Sequence, residues 1–217
     1  VLRHNMAMVR RRMKTPQLKF ETMKIGKKSN TDVAICYIKN SVDEEILSQV
    51  KKRLNAIEID AVLDSGYLQP FLDSKSASLF PSVGMTERPD TLCGKILEGR
   101  IGILVDGTPF ALTVPLLFSE HFQSLDDYTV NPFFATFIRC LKYLSFFLAV
   151  LVSGSYVAIC EHNPELFPSA ILHKVFDSGI VTPFPNMWEA LIIHIIYEIM
   201  REAGLRMPRS VGHAVSI

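Results

Sequence analysis

His194 and Glu198 stand four residues apart in a helical pattern, which places an imidazole and a carboxylate on one face. Arg201 and Glu202 share that face, opposite Ile192, Ile196, Ile199 and Ala203. A metal needs three or four ligands, and no other donor is spaced to complete a site. An ion-pair stripe is the plain reading, and a subunit interface or an ion path is the functional one. Thr86, Glu87, Arg88 and Asp90 precede or open a helix at Pro89. Capping and dipole neutralisation account for the two acids, and partner or ligand binding by this loop is the alternative. Gly26-Lys27-Lys28-Ser29 has the end of a phosphate loop, but a Walker motif needs Gly where Glu21 stands. No serine sits in a GxSxG elbow. Cys36, Cys93, Cys140 and Cys160 fall in no CxxC spacing, so neither disulfides nor a zinc site is expected. These residues supply no catalytic, metal or cofactor constellation, and a non-enzymatic protein is expected.

The elements that position these groups divide near Asn131. Tyr143 to Cys160 runs eighteen residues without Asp, Glu, Lys, Arg or His. As a helix that is about 27 Å, close to the ~30 Å hydrocarbon core of a bilayer. Arg139 and Lys142 precede it, where long cations reach headgroups. Ser153, Gly154 and Ser155 suit close helix packing in a membrane better than a soluble helix. Mean hydropathy is +0.22, and the net charge of +1 hides three environments. Residues 1–28 carry nine Lys/Arg against one acid, residues 29–130 eight against fifteen, and residues 131–217 six against six. The acidic body beside the basic arm argues against nucleic acid. Attraction to anionic headgroups or to that body fits better.

The pattern predicts a basic helix or arm over 1–14, an α/β head over 15–128 and a membrane region over 129–217. Within the head, Gln17–Ile25 and Val33–Ile38 read as strands, the second apolar on both faces and therefore central. Ser41 with Glu44 reads as a capping box, opening a helix whose stripe is Val42, Ile46, Val50 and Leu54. Ile57–Leu63 reads as a strand, making a β–α–β unit with a parallel pair in a mixed sheet. A short helix follows over Ser65–Leu72, then a loop over 73–88 and a helix from Pro89 to Glu98 stopped by Gly99. Asp106-Gly107 marks a hairpin between Arg100–Val105 and Pro109–Val114, and Leu116–Phe122 reads as a helix. Membrane helices are expected near 131–160 and 186–204. Glu161–Asn186, broken by four prolines and a glycine, is too irregular for lipid-exposed backbone. The chain starts at Val1 and stops at Ile217 within an apolar stretch, so a piece of a longer polypeptide is expected.

Several segments together resemble one family. Met8–Pro16 is similar to the basic entry segment of the A subunits of bacterial spore germinant receptors, the GerA family. Asp60–Tyr67 resembles its IDGILDSGY stretch, and Phe80-Pro81 with Thr86–Asp90 its FP…TERPD loop. Leu97–Arg100 and Val105–Pro109 resemble its LEGR…VDGTP hairpin. Pro164-Glu165, Pro183–Pro185, Glu189–Leu191, Arg201–Gly204 and Pro208 match membrane-entry segments in order. The resemblance implies an integral protein of the spore inner membrane with its head facing the spore core. It implies assembly with a transporter-like B subunit and a lipoprotein C subunit, as a homo-oligomer in membrane lipid, sensing nutrients and triggering ion release. The related SpoVAF-type accessory branch and a membrane-tethered small-molecule binding domain are the alternatives.

Arg139 and Lys142 on the head side of the apolar helix follow the positive-inside tendency. Protease added to sealed inside-out vesicles should therefore digest the head, and right-side-out vesicles should protect it. The opposite pattern would reverse the orientation.

Overall fold

The computed structural model describes residues 1–73, 80–124, 127, 130–162, 164–166 and 184–206. The chain divides into two units, Val1–Ala135 and Thr136–Ile217. The first contains α1 (Leu2–Arg12), β1 (Leu18–Ile25), β2 (Thr31–Ile38), α2 (Glu44–Asn55) and α3 (Gln69–Leu72). β3 (Gly84–Thr86), α4 (Pro89–Leu97), β4 (Ile101–Val105) and β5 (Ala111–Val114) follow, then a 3-10 turn at Phe118–Phe122. The long helix α5 (Pro132–His162) begins in the first unit, and α6 (Asn186–Arg206) lies in the second.

The five strands form one sheet in the order β1-β2-β4-β5-β3, and every pairing is antiparallel. The turns at Gly26–Asn30 and Asp106–Phe110 lie at one end, here the hairpin end. Leu18, Ile38, Ile101 and Val114 lie at the other, the exit end. β2 is central and buries both faces, as its sequence predicts. Val33, Ile35 and Tyr37 join the core under α2, with Leu47, Val50, Leu54, Ile103 and Leu112. Ala34, Cys36 and Ile38 join the core under α1 and α4, with Val9, Leu92, Ile96 and Leu104. Small residues set the spacing on that second face. A Cβ on Gly102 would lie 2.6 Å from Cys36 Sγ and 2.9 Å from Leu92 Cδ1, so α4 rests almost on the backbone of β4. Burial pushes the Cys36 thiol up to about 12, with the neighbouring Cys93 adding to it, which leaves Cys36 an inert packing group.

Four sequence expectations change. The parallel pair and the mixed sheet do not form, because Ile57–Leu63 is not a strand. Its carbonyls at Ile59 and Asp60 accept from Lys27 N at 2.9 Å and Lys28 N at 2.7 Å, and Val62 N donates to Ser29 Oγ at 3.0 Å. The segment is bound to the β1–β2 turn, where Gly26 at φ +98° lets the backbones approach. Second, α2 is capped by Asp43, which accepts from Glu45 N at 2.9 Å and Ile46 N at 3.3 Å, and not by Ser41. An ionised acceptor two residues nearer the helix outcompetes the hydroxyl. Its buried stripe is Leu47, Val50 and Leu54, with Val42 and Ile46 at the margin. Third, part of the expected loop is strand β3. Fourth, the helix expected over Leu116–Phe122 is the shorter 3-10 turn. α1, β1, the β4–β5 hairpin and α4 form where expected, with Gly99 at φ +89° ending α4. The expected break at Glu161–Asn186 falls largely outside the described residues.

The close approach at Gly102 gives a direct test. Gly102→Ala should destabilise the head by about 1–3 kcal/mol, the range for overpacking a filled core. Pulse proteolysis in urea would register this as a lower midpoint, and an unchanged midpoint would mean that α4 can lift off the sheet freely.

Candidate functional site

At the exit end of the sheet, β3, α4, Leu116 and residues 120–124 enclose an open cavity of about 470 Å³. Its floor is β-sheet because Gly84 pairs with Thr113, and a Cβ on Gly84 would sit 2.6 Å from Thr113 Oγ1. Thr86, Thr91 and Gly94 line it from β3 and α4, and a Cβ on Gly94 would meet nothing within 4 Å. Gln123 and Ser124 close another side.

One wall is charged. Glu120 has a side chain only 5% exposed, lies 3.1 Å from Lys95 Nζ and contacts the Arg100 guanidinium. Its oxygens make no aligned hydrogen bond, so charge attraction holds them. Lys95 reaches Glu98 at 3.5 Å, and Arg100 also donates to the Pro115 carbonyl. Two cations and two carboxylates from α4, the start of β4 and the 3-10 turn therefore meet beside the cavity. The arrangement offers both signs of charge and several hydroxyls to a small polar molecule. Sequence reading did not single out this cluster. The available signal was Glu120 itself, an acid inside the apolar run Leu116–Phe122 that requires a partner once buried.

The loop singled out from sequence lies next to the cavity and is locally satisfied. Thr86 Oγ1 accepts from Arg88 N at 3.2 Å, and Arg88 pairs with Asp90 at 2.9 Å. The Arg88 hydrogen bond holds the Asp90 carboxyl below its ordinary value. Glu87 is exposed, and Glu87 and Arg88 line a narrow groove against α1. The structure thus brings Thr86, Glu87, Arg88 and Asp90 together, with only Thr86 reaching the larger cavity. The motif at Asp64–Tyr67 meets the β4–β5 hairpin. The Thr108 hydroxyl donates to Asp64 and lowers its pKa, and Gly66 N donates to the same carboxylate at 3.3 Å.

His194, Glu198, Arg201 and Glu202 all lie on α6 and are exposed there. Glu198 and Arg201 form an ion pair one turn apart. No group of three or more His, Cys, Asp or Glu able to hold a metal occurs among the described residues.

A family profile described as "Bacillus/Clostridium GerA spore germination protein" matches residues 1–217. The chain is 44% identical over 216 residues to spore germination protein KA of Bacillus subtilis, covering 100% of this chain and 40% of that protein. It is 42% identical over 216 residues to the uncharacterized membrane protein YfkQ of Bacillus subtilis, covering 100% and 42%. Spore germination protein GerQA of Bacillus cereus is 39% identical over 213 residues, covering 98% and 43%. The chain therefore spans about two-fifths of the length of these relatives. Among solved structures, it is similar to the N-terminal domain of the A subunit of the Bacillus megaterium spore germinant receptor GerK3. That match has 46% identity and a TM-score of 0.44, covering 54% of this chain and 94% of the other.

Removing the buried acid tests the charged wall. Glu120→Gln leaves Arg100 and Lys95 with only the more exposed Glu98 as counter-charge, and should cost about 3 kcal/mol, the lower end for breaking a buried pair. Thermal unfolding would show this, and a variant as stable as the parent would mean that water already screens the pair.

Proposed function

The chain belongs to the GerA spore germination family over its whole length, and from that premise we propose that it is part of the A subunit of a spore nutrient-germinant receptor. In this reading the protein is non-enzymatic. It is an integral protein of the spore inner membrane, its head faces the cytoplasmic spore core, and it couples nutrient sensing to ion release. Its partners are a transporter-like B subunit, a lipoprotein C subunit and further copies of itself. The observation that carries the membrane part is α5. Its segment Pro132–Cys160 has a mean hydropathy of 1.9 over an eighteen-residue window, none of which is buried. A helix of 31 residues is about 46 Å long, more than the ~30 Å a bilayer core needs. Phe133, Phe137, Leu144, Phe147 and Leu151 present apolar surface that lipid would cover.

α6 supplies the coupling element. It carries Glu189, Glu198, Arg201 and Glu202, so it is less apolar than α5. Each charge at a helix centre facing lipid costs roughly 2.5–3.5 kcal/mol on insertion scales. The His194, Glu198, Arg201 and Glu202 stripe is therefore assigned to a protein or water interface, bordering the ion path or a subunit contact. Glu198→Gln removes a charge at nearly constant shape. It should reduce germination-linked ion release in spores while the receptor still assembles. Assembly with release equal to the parent would make the stripe purely structural.

The cavity beside Lys95 and Glu120 favours a second reading that is compatible with the first, in which the head binds a small polar molecule. Gly94→Leu would project into the cavity from a helix position whose added Cβ meets nothing within 4 Å. Loss of a ligand-induced rise in thermal stability in this variant, with the ligand-free melting point kept, would support binding there. An identical rise in both proteins would place the ligand elsewhere.

A further inference from the structure

The basic N-terminal segment is not a loose arm. Leu2 N donates to Asp106 Oδ1 at 2.7 Å, and Asn5 Nδ2 donates to the Thr108 carbonyl at 3.3 Å, which fixes the start of α1 at the hairpin end of the sheet. Leu2, Val9 and Met13 are buried in the core beneath it. Eleven helical residues span about 16 Å, and the five residues of β4 span about 17 Å. α1 therefore runs the length of the sheet and delivers its last turn to the exit end.

That last turn is Arg10, Arg11 and Arg12, and Lys14 follows. All four are exposed, as are Lys19 at the start of β1 and Lys39 just past β2 at the same end. Arg10 lies over the Phe20 ring at 5.1 Å. Arg11, Arg12, Lys14, Lys19 and Lys39 make no ion pair among the described residues. Lys19 lies opposite Tyr37 on the α2 face, where Asp43, Glu44 and Glu45 open α2, whereas Arg11, Arg12 and Lys14 end α1 on the other face, and Glu98 is engaged by Lys95. The same end is where the chain leaves the sheet. β5 finishes at Val114, the following turn is held to Arg100 by Glu120, and α5 begins at Pro132.

We propose that the Arg11, Arg12 and Lys14 patch at the end of α1 docks on the anionic phospholipid headgroups of the leaflet that α5 enters. This rests on the membrane-spanning reading of α5. Cations that make no ion pair among the described residues, at the end where the chain leaves the sheet, are complementary to an extended anionic surface, and a phospholipid leaflet provides one. Each Lys or Arg near such a surface contributes roughly a fivefold gain in the docked population. The attraction fades within a Debye length, about 10 Å at 0.1 M salt. Among the described residues, no row of base-stacking aromatics accompanies the patch that would select nucleic acid instead.

The test uses the whole chain in lipid nanodiscs made with phosphatidylcholine alone or with added phosphatidylglycerol. Hydrogen exchange of residues 10–19 is compared between the two, after co-flotation with vesicles has scored membrane insertion. Docking predicts slower exchange with phosphatidylglycerol, reversed by high salt. Arg11→Gln, Arg12→Gln and Lys14→Gln combined should weaken the effect roughly a hundredfold, while Arg11→Lys with Arg12→Lys should keep it, since only charge is required. A chain that floats with neither lipid overturns both the spanning reading and the docking. A chain that inserts but shows equal exchange in the two lipids overturns docking alone. Protection by a mixed-sequence oligonucleotide, with none from phosphatidylglycerol, also overturns it and makes nucleic acid the partner.

Discussion

Glu120 is an acid on the short 3-10 turn Phe118–Phe122, and its buried carboxylate is held by Arg100 and Lys95. Burying a carboxylate and two cations costs desolvation that their attraction only roughly repays. The gain is in placement. Arg100 sits immediately before β4, the strand shared by both cores, and Lys95 sits on the last turns of α4. The pair therefore ties Pro115 and the Phe118–Phe122 turn to the junction of α4 and β4, and the same tie forms one wall of the cavity.

The rest of the head follows from β2 and β4 being buried on both sides. Large branched residues fill the α2 face, whereas Ala34, Cys36, Gly102 and Ala111 thin the other so that α1 and α4 lie close. Polar contacts then fix the ends. Asp106 holds α1 from one face of the hairpin, and Asp64 engages Thr108 from the other. Two of the segments that resembled the GerA family in sequence, around Asp64–Tyr67 and Val105–Pro109, are in this sense one structural joint. Their contacts orient α1 and the Asp64–Tyr67 segment against the sheet.

Most of this was legible from residue patterns wherever a strong local signal existed. The double-sided apolar run of β2, the Asp106-Gly107 turn, and Pro89 and Gly99 around α4 each have a single physical reading. Ile57–Leu63 misled because its apolar residues do pack inward, but Ile57, Ile59 and Val62 do so at spacings of two and three, and Leu63 stays exposed. Alternation reports which side is buried, not which backbone groups are paired, and here the partners are a turn. β3 is three residues long, too short for any period to register. The charged wall was invisible for another reason. Its members are spread over 26 positions, from Lys95 to Glu120, and only the folded sheet brings them together.

The bond between Leu2 and Asp106 also orders events during synthesis. Its partners are 104 residues apart, so α1 has no completed seat until the β4–β5 hairpin has emerged. At about 5–20 residues per second this is a wait of roughly 5–20 s. Throughout that interval a short basic helix with an apolar underside is without its partner. The hairpin that receives it is also the last piece of sheet before the apolar helix. Closure of the head and delivery of α5 are thus nearly simultaneous on the ribosome. Any delay in hairpin formation would leave the nascent basic segment exposed beside an emerging hydrophobic one.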